Sequence, residues 1–308
     1  MRASISIDVD SLRFYHQIHG LPERPPEDDP IYTVALPRFF ELLERLSVPA
    51  TLFLVAEDAA KHPAAFAPIA PSGSEVASHS FHHDYRLSQK TEGEIRADLA
   101  AADRALVPLN GGRPIAGFRA PGYNVSPALL EAVRTLGYRY DSSLLPAPAY
   151  FAARATAIGL YRLRGRSSQS LVGRYAQFAG PLEPSRMEPE TPWTESSSGL
   201  LWELPMAVEP TSRVPLIGTA LSALPAQVFE KLLNRALLRL SFFNFEMHAI
   251  DFLDETDHPS LRELGPHQKD LRVPAATKLE RLAALFSRLK DSAEVATLAA
   301  HTEALSSV

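Results

Sequence analysis

The amino-acid sequence predicts an α/β fold built on a mostly parallel sheet. Short apolar segments alternate with helical patterns through the first half, and polar residues collect where those segments end. No internal repeat or low-complexity tract interrupts that order. Ser4 to Val9 reads as a buried strand. Pro37 to Ser47 has helical spacing through Phe39, Phe40, Leu43 and Leu46. Thr51 to Ala56 follows as a second strand and Gly73 to Ser78 as a third. Thr91 and Glu94 make a capping-box pattern ahead of a helix carrying Ile95, Leu99, Ala102 and Leu106. Ile115 to Phe118 is the next strand. Ser126, Pro127 and Gly137 then bracket a helix as N-cap, first-turn proline and terminal glycine, and Tyr138 to Tyr140 begins another strand. Strands joined by single helices argue a parallel sheet, either open and doubly wound or closed into a barrel.

The stretch from Leu145 to about Ser198 differs. It is rich in Ala, Pro, Arg and Ser, with Pro181, Pro184, Pro189 and Pro192 closely spaced. It reads as an irregular insertion with a short helix near Tyr150 to Ile158. Regular pattern returns with strands at Leu200–Leu204, Phe242–Met247 and Ala293–Leu298, and helices at Ala226–Leu240 and Lys278–Lys290. The expectation is one catalytic domain over residues 1–308 with a decorated second half.

Composition removes several classes of function. Hydrophobic residues make up 45% and charged ones 22% of the chain, the balance of a protein with a sizeable core. Lys plus Arg number 31 against 36 Asp plus Glu, so no basic face argues for nucleic acid. The absence of cysteine excludes disulfide scaffolds, thiolate-ligated metals and thiol catalysis. Asp8 and Asp10 interrupt the N-terminal segment before the roughly 7–15 apolar residues of a secretory signal accumulate. No segment approaches the roughly 18 apolar residues of a spanning helix. A soluble, cytoplasmic protein is expected.

Five constellations carry chemistry. In Asp8-Val9-Asp10, strand alternation puts both carboxylates on one side. Two carboxylates so close repel unless one is neutralised, and a divalent metal on one leaves the other as a base. Capping of a strand end is the plainer reading. In His79-Ser80-Phe81-His82-His83, two imidazoles four residues apart can meet one metal across a turn, with His82 left outside or behind them. Two His and an Asp with open positions suit a catalytic site rather than a structural one. Arg119, ahead of the Pro121-Gly122 turn, suits a fixed cation beside a buried carboxylate, or else is a surface arginine. Asp141 and His248 close the set; a lone histidine in an apolar strand reads first as a satisfied core residue. His16 and His19, beside Tyr15, read as loop or substrate-rim residues.

In this order, D-x-D, H-S-x-x-H, the R-x-P turn, Asp141 and a late strand-end histidine, the chain resembles the polysaccharide deacetylase family, carbohydrate esterase family 4. The resemblance spans about residues 3–145 and again about 200–300. It implies a distorted (β/α) barrel and a hydrolase that removes acetyl groups from sugars with one divalent metal ion, zinc expected. Carried over by residue, Asp10, His79 and His83 are the metal ligands and Asp8 the general base. Arg119 would pair with Asp8, His248 would be the general acid, and Asp141 would orient it. A backbone N–H just after Pro121 would hold the oxyanion. The acidic pair is adjacent in the common family form and spaced by Val9 here. That spaced form is similar to a branch with peptidoglycan-deacetylase-like and allantoinase-like members, and with a deformylase of a lipid-linked aminoarabinose. Gly122 stands where many members carry an aromatic, which leaves Pro121, Gly122 and Tyr123 as candidate substrate-binding residues.

A cytoplasmic member would act on a soluble or lipid-linked sugar intermediate rather than on cell-wall polymer. Val214–Gly218 and the helix with Val228, Leu232, Leu233, Ala236 and Leu237 leave room for a peripheral membrane contact, although core packing is the expected role. Two other readings compete. One is a deformylase or amidase acting on a lipid-linked sugar or a non-sugar amide such as a ureide. The other is a non-catalytic carbohydrate-binding relative, disfavoured because every candidate acid, base and ligand is present.

Overall fold

The computed structural model describes residues 1–22, 28–163, 165, 168–169, 171 and 175–307. Nine strands join one sheet: β1 (Arg2–Val9), β2 (Thr51–Leu54), β3 (Glu75–Ser78), β4 (Gly117–Phe118), β5 (Tyr140–Asp141), β6 (Ser185–Met187), β7 (Leu201–Glu203), β8 (Phe242–His248) and β9 (Glu294–Val295). Their order is β6-β7-β5-β4-β3-β2-β1-β8, with β9 added beside the start of β1. Every pairing is parallel except β6 with β7. The sheet curls until its two sides meet. Just past β7, the Ala207 N–H donates to Asn244 O on β8 at 2.9 Å. The result is the distorted (β/α) barrel that the resemblance implied.

Alternation along β1 explains how this barrel is filled. Ala3, Ile5, Ile7 and Val9 face outward and are buried under the surrounding helices. Each fully buried Ile or Val contributes about 1.5–3 kcal/mol. Ser4, Ser6 and Asp8 point the other way, into an interior that also holds Phe53, Ala77, Tyr140 and Leu204. Gly117 makes room for one of these: a Cβ there would lie 1.9 Å from Tyr140 Cζ. The Tyr140 hydroxyl then donates to the buried Glu75 carboxylate at 2.8 Å.

The helices follow their sequence signals where those were strong. Thr91 and Glu94 form the capping box that starts helix Glu92–Leu109, and Ser126 caps Pro127–Thr135. Leu36–Leu46 and Ala226–Arg239 bury one apolar stripe each. On the second of these, Phe229, Leu233 and Ala236 pack inward, and Leu216 and Ile217 of the preceding loop are buried too. Core packing therefore accounts for Leu216, Ile217, Leu233 and Ala236 of the segments read as a membrane contact, while Val228 is exposed. Among the described residues no helix is long and apolar enough to cross a membrane.

Three expectations need correction. The strand read at Ala293–Leu298 is only β9, because the Thr297 hydroxyl accepts from Ala300 N and starts the helix Leu298–Ser306. The 145–198 segment, part of which lies outside the described residues, is more regular than expected. Its helix runs Pro148–Leu163 and it supplies both β6 and a short helix, Tyr175–Phe178. His16 lies in a helix, Leu12–Ile18, and His19 at its C-terminus, rather than in a loop.

Candidate active site

The parallel register brings the predicted residues to one end of the barrel. Asp8 pairs with His248 across β1 and β8. His79 and Arg119 directly follow β3 and β4, which pair Ser78 with Phe118. Asp141 ends β5, opposite Phe118. These are the C-terminal ends of parallel strands, where α/β barrels build their sites.

Asp10, His79 and His83 converge. The His79 Nδ1–H donates to Arg119 O at 2.7 Å, which leaves Nε2 bare and aimed into the site. A turn with Ser80 at φ 66° and His83 at φ 54° folds the segment back. The Ser80 hydroxyl holds that turn by accepting the His83 N–H at 3.0 Å. Left-handed backbone at non-glycine residues costs on the order of 1–3 kcal/mol each, and here it aims a side chain. The two Nε2 atoms stand 3.1 Å apart, with Asp10 Oδ1 at 3.7 Å and 3.4 Å from them. Burial holds His83 well below the usual imidazole pKa, with His79 and His248 adding to the effect, so its nitrogen stays unprotonated. Asp10 Oδ1 is buried without a hydrogen-bond partner. Ligand atoms about 2.0–2.2 Å from a tetrahedral ion sit roughly 3.3–3.6 Å from one another. The donor set thus fits a divalent metal, and the buried, unpartnered Asp10 Oδ1 is the group that such an ion would satisfy.

Asp8 lies behind this group, fully buried. Arg119 Nη1 donates to its Oδ1 at 2.6 Å, while Oδ2 has no hydrogen-bond partner and lies 3.8 Å from His79 and 4.0 Å from His248. Burial alone would raise the Asp8 pKa. The Arg119 charge, then those of His79 and His248, outweigh it and lower the pKa below the ordinary value. Asp10 lacks the arginine, and burial pushes it up to about 6. Arg119 is itself fixed on every side. Nε donates to Ser142 O at 2.8 Å, Nη2 to the hydroxyls of Ser6 and Ser142 at 3.0 Å, and the guanidinium lies 4.0 Å above the Phe53 ring. A buried pair held this way is costly to break by removing one partner.

His248 and Asp141 do not meet as expected. The carboxylate beside His248 is Glu246, 2.9 Å from Nδ1. Residues i and i+2 of β8 share a face, so the strand itself sets this pair side by side. Burial would lower the His248 pKa, but Glu246, Asp8 and Asp10 outweigh it and hold it well above the usual value. Asp141 instead accepts the Ser143 hydroxyl at 2.7 Å, and Ser143 Oγ accepts the Ala120 N–H at 2.8 Å. Its place is under the Arg119–Pro121 loop. Burial raises it to about 6, and Glu203 beside it is raised well above its ordinary value by burial and then by Asp141. Glu246 was within reach of sequence reasoning, because the alternation that joins Asp8 to Asp10 also joins it to His248.

Pro121, Gly122 and Tyr123 form the next wall. Gly122 has φ 60°, and a Cβ there would lie 2.9 Å from Tyr85 and 3.0 Å from Arg154. The Tyr123 N–H closes onto Ala120 O at 2.9 Å, which leaves Gly122 as the candidate oxyanion donor of this turn. Tyr123 is buried and lines a cavity of about 210 Å³ with Asp8, Asp10, His79, His83 and His248. Helix Pro148–Leu163 roofs that cavity through Tyr150, Arg154, Ile158 and Tyr161. His19 stands at its rim, bonded to the Tyr161 hydroxyl at 2.9 Å and to Gln268 at 3.0 Å. His16 is buried away from it, with Nδ1 3.0 Å from Leu12 O.

The fold is similar to that of solved structures assigned to the polysaccharide deacetylases. Residues 27–140 match the polysaccharide deacetylase family model, and the resemblance read from the sequence holds at that level. Among solved structures, the chain is similar to a Pseudomonas aeruginosa PAO1 protein assigned to the polysaccharide deacetylases. The TM-score is 0.60 at 16% identity, over 98% of this chain and 89% of that one. A Mycobacterium smegmatis protein with the same assignment gives 0.58 at 17% identity, over 99% and 90%. The Puue allantoinase gives 0.52 at 15% identity, over 93% and 91%. These likenesses concern the fold. No curated protein sequence matches the chain.

Proposed function

We propose that this chain is a metal-dependent hydrolase that removes an N-acyl group, acetyl expected, from a sugar or glycan intermediate. The observation that carries the reading is the meeting of three groups around one cavity. These are the donor set Asp10, His79 and His83, the ionised Asp8 beside Arg119, and the protonated His248 beside Glu246. The spaced D-x-D supports a reading within the branch that shares this form. Zinc is the ion best suited to two imidazoles and a carboxylate.

A divalent ion in that donor set would supply Lewis acidity toward the acyl carbonyl. The chain's own residues do the rest. Asp8 takes a proton from the attacking water through Oδ2, which no other group occupies. Arg119 keeps that carboxylate ionised and fixed. The Gly122 N–H faces the developing oxyanion. His248 delivers its proton to the leaving nitrogen, and Glu246 holds the imidazolium in place. Asp141 supports the loop that carries Arg119 instead of orienting His248.

A second reading is favoured by one observation. The cavity, at about 210 Å³, is smaller than the roughly 300–1,000 Å³ of typical drug-sized ligand sites. A compact amide, including a non-sugar one, suits it better than an internal residue of a polymer. Metal content of the purified chain tests both, with acetate, formate and ammonia release measured before and after chelation. The panel is N-acylated monosaccharides, a chitin oligomer and a ureide. One metal per chain with chelator-sensitive acetate release supports the first reading. Release from the ureide alone supports the second, and no metal under any loading condition sinks both.

A further inference from the structure

The inference concerns Arg154, and it rests on the hydrolase reading only for the identity of the reaction. Residues 151, 154, 158 and 161 share one face of helix Pro148–Leu163, and that face is turned onto the site. Phe151 and Ile158 are buried there, and Arg154 and Tyr161 line the cavity between and beyond them. Arg154 is half-buried, and its one hydrogen bond among the described residues is from Nη1 to the neutral carbonyl of Gly122 at 3.1 Å. No described carboxylate forms an ion pair with it.

Other cations near the site are committed. Arg119 serves Asp8, and Arg13 is paired with Glu57 and Asp58. With a divalent ion in place, that ion, Arg119 and the protonated His248 more than balance the carboxylates of Asp8, Asp10 and Glu246. Arg154 then adds a further uncompensated positive charge to the pocket. A guanidinium presents a planar fork of donors matched to carboxylate and phosphate, and most of this fork is open. We propose that Arg154 receives an anionic group, a carboxylate or a phosphate, carried by the substrate close to its acylamino group. The closeness follows from the cavity of about 210 Å³, whose lining holds Arg154 together with the reacting groups.

The test compares three acylamino sugars on the metal-loaded protein: neutral N-acetylglucosamine, N-acetylglucosamine 1-phosphate and N-acetylmuramic acid, the last two carrying their anion beside the acylamino carbon. Binding is measured by calorimetry and turnover by acetate release. The expected result is that the phosphate or the carboxylate sugar is favoured on the order of tenfold or more over the neutral one. Which of the two leads identifies the source of the anion. Arg154→Gln should bring that ratio close to one, and Arg154→Lys should restore part of it. Arg162→Gln, an exposed position on the same helix, should leave the ratio where it was. No preference in the unaltered protein overturns the proposal without any variant having to fold, as does a preference that survives Arg154→Gln. A binding preference lost in Arg154→Gln, with no turnover of any substrate, keeps the Arg154 assignment and sinks the hydrolase reading instead.

Discussion

The floor and the roof of the cavity come from different kinds of chain. The floor is the set of strand ends β1, β3, β4 and β8, where each side chain is aimed by a register that repeats every two residues. Its groups are buried, mutually bonded and fixed from several sides, as Arg119 shows with four side-chain hydrogen bonds and a ring beneath its guanidinium. The roof is one helix, Pro148–Leu163, whose outer surface is solvent-exposed and whose hold on the barrel runs through Phe151, Ile158 and Tyr161. Rigid strand ends suit chemistry, which tolerates little misplacement. A loosely held helix suits selection of a substrate, since its inner face can change without disturbing the barrel. Substitutions on the floor should therefore act on kcat or on metal, and those on the roof on KM.

The largest effects test the floor against itself. His79→Ala should remove both metal and turnover, because it deletes one Nε2 of the donor set. Asp8→Asn should cut kcat by about 10²- to 10⁴-fold while metal content stays near one per chain. Equal loss of metal in both variants would merge Asp8 into the metal site and end its assignment as base. Next in size is the choice between two carboxylates for His248. Glu246→Gln should lower kcat by roughly 10- to 100-fold, the range seen when an imidazole loses its orienting partner. Asp141→Asn should change kcat less and lower thermal stability more, as its bonds run to the loop under Arg119. The reverse ranking in a paired kinetic and melting experiment would return Asp141 to the role first read for it.

The same contrast decides what could be read from the sequence. That Asp8 and Asp10 share a side and that His79 and His83 can meet was legible because strand alternation and a tight turn are local, whereas Arg119 and His248 stood out only through the order of motifs that carries the resemblance. Asp141 was misplaced because its role depends on β7, which brings Glu203 alongside it, and on the loop it supports. Nothing within a few residues of Asp141 carries that information. The roof was legible only in part, as a short helix near Tyr150 to Ile158, for another reason. Its helix is rich in Ala and buries only Phe151 and Ile158 outright, so the apolar stripe that announces a helix is faint. Arg154 could not have been chosen among the arginines of that segment without the helix register.

Below the floor, the Asp141–Glu203 pair gives a pH test. Burial and then Asp141 raise the Glu203 pKa in the folded protein. A raised folded pKa means the folded state prefers the proton, so this group's contribution is complete below its unfolded pKa and is lost as pH rises through the folded value. Glu203→Gln keeps the acceptor that Leu144 N–H uses at 3.1 Å and cannot ionise. The variant should melt higher than the unaltered protein at pH 8 and no higher at pH 4. A constant offset between the two across that range would show that the pair does not titrate.

The smallest effect expected is at the strap of the roof. Burial holds His19 below the usual imidazole pKa, so it is neutral at pH 7. Its Nε2–H donates to Gln268 Oε1, which leaves Nδ1 to accept the Tyr161 hydroxyl proton. Tyr161→Phe removes that one bond, worth about 0.5–1.5 kcal/mol, and keeps the ring against the cavity. The roof would then dock less often, and KM should rise by roughly two- to tenfold with kcat nearly unchanged. A fall in kcat with constant KM would place Tyr161 among the groups that act on the transition state. The division between a reacting floor and a selecting roof would then fail at one of the residues that tie the helix to the barrel.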